Sequence, residues 1–242
     1  MRFAKETPIT NLDTFDAVSP VIQKFEKDAE LYQIEGGGID IFLRRNFLTD
    51  QECDILIDLI EDTNHPSRLM GGPPDPEFRS SSSSPLCHSK HPLVTEVEKR
   101  ISEFSDLDPS FQESIEGQRY LVGQQFKPHF DAFLPDHDYF PIEIAIGGQR
   151  TWTFMLALNT PDEGGGTMFP NAGVRISPRK GNLIAWCNVD RAGRINPNSL
   201  HCGEPVLAGR KYVATKWYRQ RAFQPWRRKA VLKQQRQKRD ER

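Results

Sequence analysis

From Gly117 onward the chain is divided into short β-rich runs by turns, and this pattern limits the possible folds more than any other feature. Seven runs occur, at 118–126, 151–158, 166–169, 173–176, 181–188, 204–207 and 211–218. Turn signals such as the glycine-rich stretch 162–166 separate them. Short strands at such close spacing are typical of two-layer β proteins, so the pattern predicts a sandwich or barrel.

Helical patterns dominate the chain before this β-rich region. Apolar residues recur at helical spacing from Val18 to Tyr32, and the glycines at 36–38 end that helix. Alternation at 39–43 then predicts a strand. A capping box, Thr49 with Glu52, begins a second helix, and Pro92 begins a third. Between them, 63–89 is rich in serine, proline and glycine and predicts one long loop.

Composition and charge exclude several classes of protein. Of 242 residues, 37% are hydrophobic, which is enough for a packed core and excludes wholesale disorder. The longest apolar runs, such as 154–158, are too short to span a membrane, and the first residues lack the apolar stretch of a signal peptide. The four cysteines form no CxxC pair, which favours a reducing cytoplasm over a disulfide scaffold or zinc ribbon.

A net charge of −1 conceals a basic C-terminal tail. The segment 221–242 holds nine Lys or Arg and two Asp or Glu, a net +7 that leaves −8 for the rest. Such a tail has the charge to contact nucleic acid or an acidic partner, but we favour a solvated terminal helix as its explanation. We divide the chain into a helical segment 1–38, a main domain 39–220 whose barrel begins near 117, and the tail 221–242.

One histidine–acid pair has the pattern of a metal site. Of the six histidines, only His129 is followed two positions later by an acid, Asp131. At a strand end, residues two apart point to the same face. With a distant second histidine, His201, they form the two-histidine, one-carboxylate set that binds non-haem Fe(II) and leaves coordination positions open. Lys211, ten residues later, is a cation that can anchor a dicarboxylate co-substrate.

These residues and their surroundings resemble the prolyl 4-hydroxylase family. The similarity is carried by RYLVGQQFKPHFD at 119–131, by GQR at 148–150 and by GGGTMFP at 164–170. It continues through Leu200-His201, Pro205-Val206, GRK at 209–211 and ATKW at 214–217, and includes the lead-in NFLTDQEC at 46–53. It therefore extends from about residue 39 to residue 219.

The resemblance implies a fold and a chemistry. The expected fold is α+β and mainly β: a double-stranded β-helix, or jelly roll, supported by N-terminal helices. His129, Asp131 and His201 would bind Fe(II), with 2-oxoglutarate and O2 as co-substrates and ascorbate as a further reductant. The reaction would hydroxylate prolyl residues of a peptide or protein and release succinate and CO2.

The resemblance also implies roles for residues around the metal. Lys211 would pair with the distal carboxylate of 2-oxoglutarate, and Tyr120 and Thr167 would add hydrogen bonds. The substrate would contact Arg150, Trp217, Arg79 and Ser81, the last two in a segment that resembles a mobile substrate loop. The family often has Glu before the Thr that matches Thr167, whereas Gly166 precedes it here.

Two other interpretations stay open. The same chemistry could act on another side chain, a small metabolite or a nucleic-acid base, and the basic tail mildly favours the last. Enzymes of the AlkB type, however, anchor 2-oxoglutarate with arginine rather than with the lysine found at 211. A non-catalytic binding module with a relict barrel is the third interpretation, which the intact ligand set and anchor oppose.

Overall fold

The computed structural model describes residues 18–70 and 75–240. Five α-helices lie in these ranges: α1 (Val18–Phe25), α2 (Asp50–Thr63), α3 (Pro92–Ser105), α4 (Phe140–Gly147) and α5 (Arg228–Asp240). The strands before α4 are β1 (Leu31–Gln33), β2 (Ile41–Arg44), β3 (His65–Pro66), β4 (Ser82–Pro85), β5 (Glu116–Tyr120) and β6 (Phe126–His129). The strands after it are β7 (Arg150–Ala157), β8 (Glu163–Gly164), β9 (Thr167–Phe169), β10 (Val174–Ile176), β11 (Leu183–Cys187), β12 (His201–Gly203), β13 (Val206–Ala208) and β14 (Lys211–Arg219).

The strands form two facing sheets and a short ribbon. The large sheet has eight strands in the order β1-β2-β11-β7-β14-β5-β4-β3, and the small sheet has four in the order β10-β9-β12-β6. Strands β13 and β8 pair separately. Neighbouring strands in both sheets are antiparallel.

The two faces of the large sheet serve different cores, because side chains alternate along each strand. One face packs under α1, α2 and α3, where Trp152, Phe154 and Tyr218 are fully buried. The other faces the small sheet, where Trp186 and Ile184 pack with Phe169. This arrangement confirms the predicted mainly β jelly roll with supporting helices.

The capping box predicted at Thr49 and Glu52 is present and begins α2. The first helix, in contrast, is shorter than its apolar pattern predicts. It ends at Phe25, and Leu31–Gln33 forms β1 instead, paired with β2. The predicted helix and the strand therefore compete for 26–32, and pairing with β2 prevails. Residues 1–17 of the predicted N-terminal segment lie outside the described residues.

The prediction of one long loop over 63–89 is wrong in part. Strands β3 and β4 lie within it, and β4 pairs with β5 in the large sheet. Serine is a weak strand former, so the sequence gives little sign of this. Serine hydroxyls in and beside the strand stabilise it. Oγ of Ser67 lies 3.0 Å from Oγ of Ser81, which precedes β4, and 2.7 Å from Oγ of Ser83 within it, so these buried oxygens satisfy one another.

One further strand prediction needs correction, and two elements were not predicted. The predicted run 118–126 is two strands, β5 and β6, which lie in different sheets. Strand β12, which begins at His201, and helix α4 were not predicted. In the described ranges, no helix has both the length and the apolar content needed to cross a membrane.

Candidate metal centre and co-substrate pocket

His129, Asp131 and His201 come together at the edge of the small sheet. His129 ends β6, His201 begins β12, and the two residues are direct partners in the register of these antiparallel strands. Asp131 follows β6 by two residues, as the sequence pattern predicts. One possible ligand atom from each residue lies within 4.8 Å of the other two. The fold therefore brings together the three predicted ligands although 70 residues separate His201 from Asp131.

The carboxylate lies between the two imidazoles. The Nε2 atom of His129 is 3.9 Å from Asp131 Oδ1, and Nε2 of His201 is 3.8 Å from Asp131 Oδ2. These separations are too long for hydrogen bonds, and they are suited to donor atoms that share one cation.

Backbone carbonyls fix the orientation of both rings. Nδ1 of His129 is 2.8 Å from the carbonyl oxygen of Lys127, and Nδ1 of His201 is 2.9 Å from that of Ser199. A carbonyl oxygen can only accept, so each Nδ1 carries the proton and donates it. Each Nε2 atom then presents its lone pair toward Asp131, which is the tautomer that binds a metal.

The protonation states of His129 and Asp131 suit metal binding. Burial, with the neighbouring His201, lowers the pKa of His129 to about 3, so this ring is neutral at physiological pH. Burial alone would raise the pKa of Asp131, but the two imidazoles and Arg150 outweigh it and hold that pKa below its ordinary value. Two imidazole nitrogens and one carboxylate are a ligand set that fits Fe(II) and leaves coordination positions for other ligands.

The residues that hold the Asp131 carboxylate were not predicted from the sequence. The hydroxyl of Thr153 in β7 donates to Asp131 Oδ2 at 2.7 Å, and Nδ2 of Asn188 donates to Thr153 Oγ1 at 2.9 Å. All three residues are buried. Thr153 projects from the same face of β7 as the cavity residue Met155, and this alternation was the available signal.

Lys211 and its predicted neighbours face the same cavity as the metal ligands. Lys211 is 2% exposed, and its Nζ lies 5.1 Å from the ring centroid of Tyr120, its register partner on β5. Thr167 on β9 lines the cavity with them. Burial lowers the pKa of Lys211 to about 8, although Glu204 opposes the shift. A buried cation of this kind is an effective partner for a carboxylate that enters the cavity.

The cavity has a volume of about 610 Å³, with the metal ligands and Lys211 in its lining. Alternate residues of β14 form one wall, as strand periodicity predicts. They are Lys211, Val213, Thr215 and Trp217. Aromatic residues line much of the remainder, including Phe78, Phe126, Phe133 and Tyr139. The space therefore accommodates a small dicarboxylate beside the metal and an apolar group in front of it.

The predicted substrate residues Arg150 and Trp217 lie together in the cavity wall. The guanidinium carbon of Arg150 is 4.1 Å from the centroid of the Trp217 ring. The same guanidinium donates to Glu113, at 2.6 Å from Nε and 2.7 Å from Nη2. Glu113 has no sequence signal of its own. Arg150 thus presents a stacked, paired face to the cavity rather than a free cation.

Arg79 and Ser81 have different positions. Arg79 lines the cavity over the ring of Phe126 at 4.6 Å, and pairs with Glu116 at 3.1 Å. Ser81 is buried behind it and accepts a hydrogen bond from Arg79 Nε at 3.2 Å. In this conformation Ser81 orients Arg79 and does not itself line the cavity.

Gly166 stands where the family often has Glu, and in the structure another acidic side chain lies beside it. A Cβ atom at Gly166 would collide with Oε2 of Glu204, so the carboxylate of Glu204 takes up the space beside this glycine. Glu204 is paired with Arg175 at 2.7 Å. An acidic group is thus present next to the Thr167 strand, but it comes from the residue after β12.

Comparisons with known proteins agree with this geometry. Residues 115–219, which include all three ligands and Lys211, match the model of the 2OG-Fe(II) oxygenase superfamily. Prolyl 4-hydroxylase 5 of Arabidopsis thaliana is 32% identical over 201 residues, which cover 74% of this chain and 67% of that protein. Prolyl 4-hydroxylase 1 of the same plant is 32% identical over 227 residues, which cover 81% of this chain and 77% of that protein.

The chain belongs to the prolyl 4-hydroxylase family of Fe(II)- and 2-oxoglutarate-dependent dioxygenases. A solved structure supports the fold: the viral collagen prolyl hydroxylase of Paramecium bursaria Chlorella virus 1, in complex with 2-oxoglutarate, matches with a TM-score of 0.59 and 29% identity. That match covers 74% of this chain and 95% of the viral chain. The protein is accordingly an enzyme, a 2-oxoglutarate-dependent dioxygenase.

Proposed function

We propose that this dioxygenase hydroxylates prolyl residues in a peptide or protein. The observation that carries the proposal is that the metal ligands, the buried Lys211 and the Arg150–Trp217 wall all line one cavity. Proline is apolar, and proline-rich segments are recognised in aromatic-lined grooves, which is the character of this cavity. The names of its prolyl 4-hydroxylase relatives state this same activity.

The roles of the residues follow from their positions. His129, Asp131 and His201 would hold Fe(II), and Lys211 would bind the distal carboxylate of 2-oxoglutarate, with Tyr120 and Thr167 beside it. When bound, iron and 2-oxoglutarate supply the oxidation: one oxygen atom of O2 enters the substrate as hydroxyl, and the other enters succinate as CO2 leaves. Thr153 holds the Asp131 carboxylate in place, and the aromatic lining keeps water from the substrate ring.

The proposal extends to the reductant and the compartment. Ascorbate would keep the metal ferrous between turnovers, since the metal ligands face an open cavity that a small reductant can enter. We place the protein in the cytoplasm, a proposal supported by its four cysteines, Cys53, Cys87, Cys187 and Cys202, all of which are free thiols.

A turnover experiment tests the proposal. Purified protein is incubated with Fe(II), 2-oxoglutarate, O2 and ascorbate, together with proline-rich peptides or matched peptides in which alanine replaces proline. We expect succinate release in proportion to peptides that gain the mass of one oxygen atom, only when proline is present. Equal oxidation of the alanine peptides, or oxidation only of methylated nucleic acid, would overturn the assignment to prolyl residues. Omission of ascorbate should shorten the time course.

A further inference from the structure

A chain of alternating charges runs from the cavity wall to the C-terminal helix. Its members, in order, are Arg150, Glu113, Arg219, Glu143 and Arg228. The first lies in β7, the third ends β14, the fourth lies in α4 and the last begins α5. This chain of ion pairs therefore connects the substrate side of the active site with the basic tail.

The inner half of this chain of ion pairs holds the cavity wall in position. Glu113 accepts hydrogen bonds from Nε and Nη2 of Arg150, and its Oε1 lies 2.5 Å from Nε of Arg219. Both guanidinium groups also contact the ring of Phe133, whose centroid is 5.1 Å from the guanidinium carbon of Arg150 and 4.3 Å from that of Arg219. Burial would raise the pKa of Glu113, but the two arginines outweigh it and hold that pKa at about 2. The position of Arg150, and of Trp217 stacked on it, thus depends on Glu113 and Arg219.

The outer half connects Arg219 with the tail. Arg219 Nη2 donates to Oε2 of Glu143 at 2.7 Å, and Arg228 Nη1 lies 2.5 Å from the other oxygen, Oε1. Glu143 is completely buried, whereas the side chain of Arg228 is 42% exposed. Arg228 is consequently the end of this chain of ion pairs that solvent reaches.

We propose that Arg219, Glu143 and Arg228 are positioning residues for the Arg150–Trp217 wall, so that the C-terminal helix takes part in binding the peptide. This inference rests on the proposed function, because it assigns the wall to the peptide substrate. It gives the tail a role in the active site that its charge alone does not indicate.

The physical reason is the pairing of Glu143. With Arg228 present, each carboxylate oxygen has its own arginine. Without Arg228, Oε1 of Glu143 loses its ion-pair partner, which is costly because this carboxylate is itself completely buried. Arg219, which already donates to Oε2 of Glu143, would then turn further toward Glu143 and away from Glu113. Glu113 and Arg150 would then shift, and Trp217 with them.

The test compares Arg228→Gln with Lys229→Gln in the full-length enzyme. Both remove one cation from α5, but Lys229 is exposed and stands outside this chain of ion pairs. We expect Arg228→Gln to raise the KM for a prolyl peptide by about three- to tenfold, with kcat little changed. The KM for 2-oxoglutarate and the affinity for Fe(II) should stay at the wild-type values. Arg228→Lys should restore most of the peptide affinity, and Lys229→Gln should behave as wild type.

A second variant and a second readout separate the possible failures. Glu143→Gln keeps the shape of the side chain, and combined with Arg228→Gln it should give no larger KM than either single change if both act through one pair. Crystal structures of the wild type and Arg228→Gln show the position of Arg219 without any substrate. If wild type oxidises no prolyl peptide, the proposed function fails, and an unmoved Arg219 overturns the positioning role. A wild-type peptide KM in Arg228→Gln also overturns it.

Discussion

The hydroxyl of Thr153 donates a hydrogen bond of 2.7 Å to Asp131, so a residue in the interior of β7 sets the direction of the carboxylate between the two histidines. Asn188 donates in turn to Thr153, which leaves the threonine proton free for Asp131 alone. A metal site on the edge of one sheet is therefore oriented from the opposite sheet.

Thr153→Val should weaken metal binding without removing any ligand. Valine has the shape of threonine but no hydroxyl, so Asp131 loses the hydrogen bond that fixes it. Loss of such an outer partner typically lowers metal affinity about 10- to 100-fold. The measurement is an anaerobic titration with Fe(II). Thr151→Val is the matched control, since Thr151 is buried in the same strand but bonds to the carbonyl of Tyr218. Equal affinities in the two variants would contradict the role of Thr153.

His129→Ala or His201→Ala should abolish most metal binding and all hydroxylation. Two remaining ligands rarely hold a labile divalent ion. Binding of Co(II), followed by its absorption spectrum, gives a readout independent of turnover. His137→Ala is the control, because His137 lines the cavity but its side chain is half exposed and it lies outside the ligand cluster. Full activity in either ligand variant would exclude this triad.

Lys211→Ala should raise the KM for 2-oxoglutarate by roughly 10- to 200-fold, since a charge-assisted hydrogen bond in a partly dry site contributes about 1.5–3 kcal/mol. Affinity for Fe(II) should change little, because Lys211 is no ligand. Lys211→Arg should recover part of the loss. Succinate release against 2-oxoglutarate concentration measures the effect, with the exposed Lys127→Ala as control. An unchanged KM in Lys211→Ala would place the co-substrate elsewhere.

Binding of 2-oxoglutarate should also weaken as the pH rises through about 8. Burial lowers the pKa of Lys211 to about 8, so the free enzyme carries the anchoring charge below that pH and loses it above. The ratio kcat/KM for 2-oxoglutarate should therefore decline above pH 8. In Lys211→Arg the guanidinium keeps its charge throughout, so the ratio should lack this decline. A similar decline in both proteins would assign the titration to another group.

The lowered pKa of Lys211 also predicts how the free energy of unfolding changes with pH. The folded state holds the proton of Lys211 less tightly than the unfolded chain, whose lysine has its ordinary pKa of 10.5. Between about pH 8 and that value the unfolded state binds more protons, so this residue makes the free energy of unfolding rise with pH. Denaturant unfolding of the metal-free protein across this range, beside Lys211→Met, measures the difference.

Strand periodicity and ligand spacing allowed much of the site to be predicted from sequence. The face of β14 that carries Lys211 and Trp217 follows from alternation alone, and the residues two apart at the end of β6 do point together. Helix α4 was missed because its residues other than Glu143 are apolar on all sides, which hides the one-sided pattern that marks a surface helix. Glu113 and Thr153 were missed because their roles depend on which strands are neighbours.

The two-sided use of β14 restricts how this chain can vary in length. Its odd-numbered residues, from Lys211 to Trp217, line the cavity, while Tyr212, Ala214 and Tyr218 pack beneath the helices. Insertion or deletion of one residue within 211–217 would exchange the two sets, placing tyrosines at the co-substrate and an anchoring lysine in the helical core. Related sequences can therefore differ in this strand by substitution, whereas gains and losses of residues must fall in the turns on either side of it.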